Sequence, residues 1–332
     1  MASEPSASLD PSKLHVVAGG GGFIGGHLVA RLRADGCTHI RAVDVLPLDE
    51  WQQRFDDVEN LVLDLSRHDD CQTAAAGADT VFHLAADMGG IGFIEANKAR
   101  CMLSVLMSTH MLVACRDQGV ERFFYSSSAC VYAADKQAVP EVYGLNEADA
   151  YPAMPEDGYG WEKLFSERMA GHFGEDFDLA TRVARYHNIY GPLGTYDGGR
   201  EKAPAAICRK VAAAVLSGNH EIEIWGDGEQ TRSFTYIDDC VEGTLRLTLS
   251  GCAEPLNIGS SELVTINDLV LICEEVAGVR LARNYILDAP QGVRGRCSDN
   301  TRIRAELDWE PFTTLKEGLA DTYEWVYRQM SS

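Results

Sequence analysis

The chain has 332 residues, 45% apolar and 24% charged, enough for one large core or two modest domains of ordinary globular composition. Its formal net charge of −21 argues against a nucleic-acid backbone or an anionic membrane as partner, since both attract basic faces; a small anion needs only a local basic pocket. Ten cysteines with no C-x-x-C pair and no Cys/His ligand spacing argue against a structural zinc and point to reduced, mostly buried thiols in a cytoplasmic protein.

Residues 1–12 lack a basic region followed by an apolar one, so they read as a disordered lead rather than a secretory signal. No later run approaches the roughly 20 apolar residues of a membrane span. The segment "LHVVAGGGGFIGGHLVARLRADG" sets an apolar run, Leu14 to Val17, before a glycine cluster and a helical pattern carrying Phe23, Ile24, Leu28 and Leu32. Gly19, Gly22 and Gly25, in G-x-x-G-x-x-G spacing, let the backbone turn sharply and approach a pyrophosphate at the helix N-terminus. Asp44 closes "IRAVDV" about 25 residues on, where a carboxylate accepts from ribose hydroxyls. It would repel a 2′-phosphate, so NAD is expected rather than NADP.

"VENLVLDL", "ADTVFHLAA" and "VERFFYSSS" follow as further short β-rich runs separated by helical stretches. That alternation predicts a Rossmann-type α/β fold, a doubly wound parallel sheet with right-handed crossovers. One long helix is expected over about residues 94–118, with Leu103, Leu106, Met107, His110, Met111 and Ala114 at helical spacing. A second apolar face on it would pair across a homodimer. After Arg185 the alternation weakens into the Gly-rich "GPLGTYDGGREKAP", and strands return at "EIEIWGDG" and "PLNIG". The expected division is a cofactor domain of residues 13–188 plus about 233–262, and a smaller mixed α/β substrate domain of about 189–232 plus 263–330.

Tyr159 and Lys163 in "YGWEK" form Y-x-x-x-K, which on a helix puts both side chains on one face. A nearby ammonium would stabilise the phenolate, so Tyr159 could take a hydroxyl proton while a hydride leaves the same carbon. Lys163 could also hold the nicotinamide ribose, and Ser128 at the preceding strand end would hydrogen-bond the reacting oxygen. A nucleotide diphosphate sugar would need cationic anchors, for which Lys210, Arg232 and Arg294 are candidates because arginine engages phosphate with two parallel hydrogen bonds. Gly89 and Gly90 would let the backbone come close to a hexose.

Together the glycine loop, the serine-rich strand end and Y-x-x-x-K resemble the extended short-chain dehydrogenase/reductase family. "LAADMGGIGF", "RFFYSSSACVY", "YHNIYGPLGT", "GGREKAPAAICRK", "WGDGEQTRSFTYIDDCVEG" and "GVRGRCSDN" are similar, more narrowly, to the GDP-mannose 3,5-epimerase group within it. The resemblance covers nearly the whole chain after about residue 13. It implies an NAD-dependent isomerase that oxidises C4 of a GDP-sugar, inverts C5 and C3 beside the new ketone, and returns the hydride. It assigns the carbon acid/base roles to Cys130 and Lys202, sets Phe23, Ile24, Asp64 and Leu84 against the cofactor, and brings Asn188 to the pyrophosphate or sugar.

A thiol pKa near 8.5 would suit proton transfer if the site stabilised the thiolate. Lys202 would be depressed by burial and by Arg200, Arg209 and Lys210. Ala18, Cys297 and the segment 47–59 depart from the group's pattern and leave the sugar open, including C5-only inversion or a differently substituted GDP-sugar. A dehydratase would need an Asp-Glu pair where Ala129, Cys130 and Val131 stand, and a 4-epimerase would leave Cys130 and Lys202 idle. A nucleotide-sensing protein on a dead scaffold would commonly have lost Tyr159 or Lys163, and both are present.

Overall fold

The structure, a computed structural model, describes residues 8–141 and 143–331. The expected lead lies outside the described residues at positions 1–7. Its remainder packs instead of trailing into solvent: Leu9 is buried in the main core, and the Asp10 carbonyl accepts from His15 Nε2 at 2.9 Å.

Chain order begins with β1 (Leu14–Ala18), α1 (Phe23–Ala34), β2 (His39–Asp44), β3 (Glu59–Val62), α2 (His68–Ala75) and β4 (Thr80–His83). Three helices follow, α3 (Ile91–Ala96), α4 (Lys98–Met102) and α5 (Ser104–Gln118), then β5 (Arg122–Ser128), α6 (Tyr159–Phe177) and β6 (Ala180–Tyr186). The second half runs β7 (Ile189–Tyr190), α7 (Ala203–Ser217), β8 (Glu221–Trp225), β9 (Thr231–Ser233), β10 (Thr235–Tyr236) and α8 (Ile237–Leu249). It continues with β11 (Leu256–Ile258), β12 (Leu263–Thr265), α9 (Ile266–Ala277), β13 (Ala282–Ile286), β14 (Gly295–Arg296), α10 (Thr301–Leu307) and α11 (Leu315–Ser331).

A seven-stranded sheet in the order β11-β6-β5-β4-β1-β2-β3 carries the fold, every pair parallel. Its central strands are buried on both faces, which is why β1, β4 and β5 show no apolar/polar alternation and bury even His15, Thr80 and His83. One core cluster holds Val17, Leu28, Phe82 and Phe124 with much of the second half; another holds Val16, Val81, Met111 and Phe123 on the opposite face. This is a Rossmann-type doubly wound sheet. Beside it, β8 and β13 pair in parallel, and β12-β9-β14 form a small mixed sheet.

The single helix expected over residues 94–118 is broken. Asn97 leaves helical geometry at φ −131°, ψ 37°, and its side-chain amide donates to the Phe93 carbonyl at 2.9 Å. Asparagine competes for backbone partners in this way, and the chain bends there and again at Leu103. The bend turns α3 toward the carboxyl ends of the strands, while α5 keeps Met111 and Ala114 in the core and leaves Leu103 and Leu106 exposed. Gly119, in the left-handed region at φ 68°, ends α5, and Gly218 and Gly278 end α7 and α9 in the same way.

Candidate active site

The glycine turn between β1 and α1 is held by packing that only glycine permits. At Gly25 a Cβ would stand 2.0 Å from the Gly19 carbonyl oxygen, and at Gly19, with φ +90°, one would stand 2.9 Å from the Ala85 nitrogen. Gly22 is the extended N-cap of α1 and offers no side-chain cap, so the first-turn amides are not claimed by one. Asp44 ends the neighbouring strand and accepts from Gly21 N–H and Leu46 N–H, each at 3.1 Å. Burial raises its carboxyl above the usual range, partly offset by those amides, and no lysine or arginine pairs with it among the described residues. A half-buried carboxylate with no cation partner, beside uncapped helix amides, suits vicinal hydroxyls next to a pyrophosphate.

The other expected cofactor contacts divide. Phe23 and Ile24 start α1, half-buried, and Leu84 ends β4 with its N–H on the Ala18 carbonyl at 2.8 Å, beside the glycine turn. Asp64 is exposed; its carboxylate accepts from Ser66 N–H at 3.0 Å in the turn before α2.

Two strands from β1 in the sheet, β5 delivers the next group. Ser128 is its last residue, and the Ser128 hydroxyl accepts from Cys130 N–H at 3.2 Å, opening a short 3₁₀ turn over Ala129–Val131. Tyr159 begins α6 and Lys163 lies one turn on, both buried. Gly160 between them is required by close approach, because a Cβ there would be 2.3 Å from the Cys130 carbonyl oxygen. The helix carrying the phenol and the turn carrying the thiol are therefore pressed together.

Lys163 lies near the phenol without hydrogen-bonding it. Its ammonium donates to the Ser126 carbonyl at 3.0 Å and lies 3.8 Å from Glu162, over the Tyr125 ring at 4.7 Å and the Tyr159 ring at 5.5 Å. Burial holds Tyr159 well above the ordinary phenol value, Cys130 and Glu162 add to that, and only the Ser128 hydroxyl opposes it strongly. Burial likewise lowers Lys163, against the pull of Glu162 and Glu167.

Lys202 is the N-cap of α7, extended at φ −89°, ψ 164°, and Pro204 in the first turn fixes the helix start. Together with Ser128, Cys130, Tyr159, Asn188 and Arg232 it lines one cavity of about 360 Å³ at the carboxyl ends of the strands, where open α/β sheets bind ligands. Burial depresses Lys202, as expected, but the cation that assists is Arg296. The three nearby cations named from sequence have partners of their own, Arg200 with Asp87 at 2.8 Å, Arg209 with Glu201 at 3.4 Å and Lys210 with the Glu223 carbonyl at 2.9 Å, and Arg209 and Lys210 line the same cavity.

The thiol departs from expectation in the other direction. Burial pushes Cys130 up to about 11, Glu156 raises it further, and Arg296 and the Ser128 hydroxyl act against them. Burial and Glu156 thus favour the neutral thiol over the thiolate.

Among the expected substrate anchors, Arg232 is the best placed. Its guanidinium donates to the carbonyls of Thr231 at 2.7 Å, Gln291 at 3.2 Å and Val293 at 2.6 Å, and burial lowers it to about 10. Carbonyls do not neutralise it, so an anion would. Asn188 sits in the left-handed region at φ 47°, donating to the Ser233 carbonyl at 2.8 Å. Arg294 does not line the cavity; it pairs with Asp227 at 3.0 Å near the surface.

Gly89 lines the cavity, but the close approach at Gly90 is to protein: a Cβ would fall 2.4 Å from the Glu201 carbonyl, so this glycine seats the loop carrying Lys202. Cys297 is buried, with its thiol near the Ser261 carbonyl at 3.6 Å and the Ser298 carbonyl at 3.7 Å, and does not line the cavity.

Two residues of the site, Arg296 and Glu156, went unread in the sequence. Arg296, buried, reaches Cys130 Sγ with Nη1 at 3.7 Å, Gln137 Oε1 with Nε at 2.7 Å, and the Glu156 carboxylate with Nη2. The pair "VRGR" held the signal, yet nothing in its spacing tells which arginine faces inward.

The chain matches the NAD dependent epimerase/dehydratase family over residues 15–259. It is 47% identical over 315 residues to GDP-mannose 3,5-epimerase 1 of Oryza sativa subsp. japonica, spanning 95% of this chain and 82% of that protein. The GDP-mannose 3,5-epimerase of Arabidopsis thaliana is 44% identical over 333 residues, spanning 98% and 84%. Among solved structures, UDP-glucose 4-epimerase from Thermotoga maritima with UDP-glucose has a TM-score of 0.85 at 26% identity, covering 96% of this chain and 99% of that one. MoeE5 in complex with UDP-glucose and NAD has a TM-score of 0.80 at 31% identity, covering 96% and 99%. With that match across the glycine turn, the β5 end and α6, the chain belongs to the NAD dependent epimerase/dehydratase family.

Proposed function

We propose that the chain epimerises GDP-mannose at C3 and C5 through a 4-keto sugar, giving GDP-L-galactose, GDP-L-gulose or both, with NAD regenerated each turnover. One observation carries the reading: the cavity is lined both by an oxygen-handling pair, Ser128 and Tyr159, and by a second acid/base pair, Cys130 and Lys202. A 4-epimerase or a simple dehydrogenase has no use for the second pair. The 44–47% identity to plant GDP-mannose 3,5-epimerases supports the same substrate.

NAD, when bound, supplies the hydride acceptor and donor at C4. Gly22, the first turn of α1 and Asp44 would hold it, with Lys163 at the nicotinamide end. Tyr159 takes the proton of the C4 hydroxyl and returns it at the end, while Ser128 holds that oxygen in line. The C4 ketone makes the hydrogens on C3 and C5 acidic, since either carbanion delocalises onto the carbonyl oxygen. Inverting a carbon needs a base on one face and an acid on the other, and Cys130 and Lys202 fill those roles from different segments. Arg232 and Asn188 grip the diphosphate side of the substrate. Residues 13–188 with about 233–262 form the cofactor part, and about 189–232 with 263–330 the nucleotide-sugar part.

The protein works as a cytoplasmic homodimer in this reading. Leu103 just before α5 and Trp161 and Phe165 on α6 are exposed at 60%, 45% and 56%, an apolar surface that a second copy would cover. The ten free cysteines suit a reducing compartment. No helix among the described residues is long and apolar enough to cross a membrane.

The test is incubation with GDP-mannose in D₂O, followed by mass spectrometry and NMR of the sugar. Deuterium at C3 and C5 with inverted stereochemistry and no net NADH is expected. Label at C5 alone would make the enzyme a 5-epimerase, and absence of label in folded, cofactor-loaded protein would sink the assignment.

A further inference from the structure

One carboxylate beside both the thiol and Arg296 has no part in the steps above. Glu156 lies in the loop before α6, with its side chain 16% exposed, and its carboxylate pairs with the buried Arg296 guanidinium. Its own backbone N–H donates to the Cys130 carbonyl at 2.9 Å, so the turn that carries the thiol also fixes where this carboxylate stands. Arg296 is thus a planar fork with its prongs divided: Nη1 toward Cys130 Sγ at 3.7 Å, Nε on Gln137 at 2.7 Å, Nη2 on Glu156. A free guanidinium at that distance from sulfur would favour the thiolate. A guanidinium already shared with a carboxylate presents a near-neutral pair instead.

We propose that Glu156 is a positioning residue: by contacting the thiol and by sharing the Arg296 guanidinium it keeps Cys130 protonated at rest, so that the thiol meets the sugar as an acid. The assignment rests on the reading of Cys130 as a proton carrier and adds the device that sets its resting form.

Every element packed around the sulfur contributes a charge or a titrating group. Tyr159 and Lys163 face it from α6, Lys202 from the start of α7, Arg232 from β9, Arg296 from β14, and Cys101 from α4. The four cations among them would draw the proton off. Burial and Glu156 oppose them, and of the two only Glu156 can be removed without changing the depth of the site.

The experiment follows iodoacetamide alkylation of Cys130 in the full chain, read on the Cys130 peptide by mass spectrometry from pH 7 to 10.5, so the other cysteines do not interfere. Wild type is expected to climb log-linearly across the range. Glu156→Gln, which keeps shape and removes charge, is expected to level off at least one pH unit lower. Below its inflection it should react about threefold faster, because a tenfold gain in thiolate is partly offset by weaker nucleophilicity. Glu156→Asp should restore the wild-type profile. If Glu156→Gln fails to fold, Glu156→Ala removes the same charge and is read in the same way. A charge-free variant whose rate climbs to the same pH as wild type, or levels off higher, overturns the proposal. The readout needs no nucleotide sugar, so a wrong substrate assignment cannot imitate that failure.

Discussion

Burial is the largest influence on Tyr159, Cys130, Lys163 and Lys202, and it pushes each toward its neutral form. Neutral acids and neutral amines are what a site needs if protons are to move to and from a bound sugar without free ions in a dry cavity. The two pairs are separable by substitution. Cys130→Ala is expected to lower deuterium incorporation at C3 and C5 by about 10²–10⁴-fold. Reduced cofactor should still be seen on mixing with GDP-mannose, because Tyr159 and Ser128 are intact. Tyr159→Phe should lose both signals. If Cys130→Ala also abolished the absorbance of reduced cofactor, the division of labour would be wrong. Arg232→Ala removes charge-assisted hydrogen bonds of about 1.5–3 kcal/mol, so KM should rise about 10- to 150-fold with kcat less affected. The Tyr159–Lys163 spacing was legible because both lie on one turn of helix. The Arg296–Glu156 pair was not, because 140 residues separate its members and only the fold brings them together.

At the scale of elements, two glycines decide whether the acid/base pairs meet. Gly160 lets α6 settle on the thiol turn, and Gly90 lets α3 and the loop before α7 touch. Gly160→Ala is expected to cost about 1–3 kcal/mol, as forced overpacking does. It should also cut deuterium exchange more than cofactor binding, since it moves Cys130 and not the glycine turn. Gly90→Ala should leave alkylation of Cys130 near wild type while slowing exchange, because it displaces Lys202. Thermal melts with cofactor titration and the exchange assay separate these outcomes; unchanged exchange in either variant contradicts the argument. The parallel sheet could be read from the sequence because short β-rich runs alternate with helical stretches and turn residues mark their ends. The break at Asn97 could not, since apolar spacing is nearly the same in one bent helical stretch and one straight one, and the side-chain bond to Phe93 is a tertiary choice. The swap between Arg294 and Arg296 has a related cause: β14 is two residues long, too short for alternation to show which side faces in.

For the whole molecule, the buried histidines set a direction for acid stability. His83 and His187 are fully buried at 0% exposure, and burial lowers both to about 3 from 6.5. His83 stacks on Phe123 and Tyr125 in the sheet, and His187 Nε2 donates to Asn257 at 2.9 Å. Between pH 6.5 and 3 the unfolded chain binds a proton at each that the folded chain refuses, so stability rises with pH through this window and is lost as pH falls. Each group contributes about 1.4 kcal/mol per pH unit below 6.5. His15 and His27 are lowered by burial too and add in the same sense. Asp44 and Asp239, raised by burial, work in the opposite sense, but in the carboxylate range at the acid end of the window. Urea unfolding at pH 7.5 and 5.5 should therefore differ by about 3 kcal/mol from the two central histidines, with the less stable state at pH 5.5. A curve that is flat or more stable at pH 5.5 would mean that these rings take up protons in the folded protein, and so that the sheet around His83 opens more readily than its packing implies.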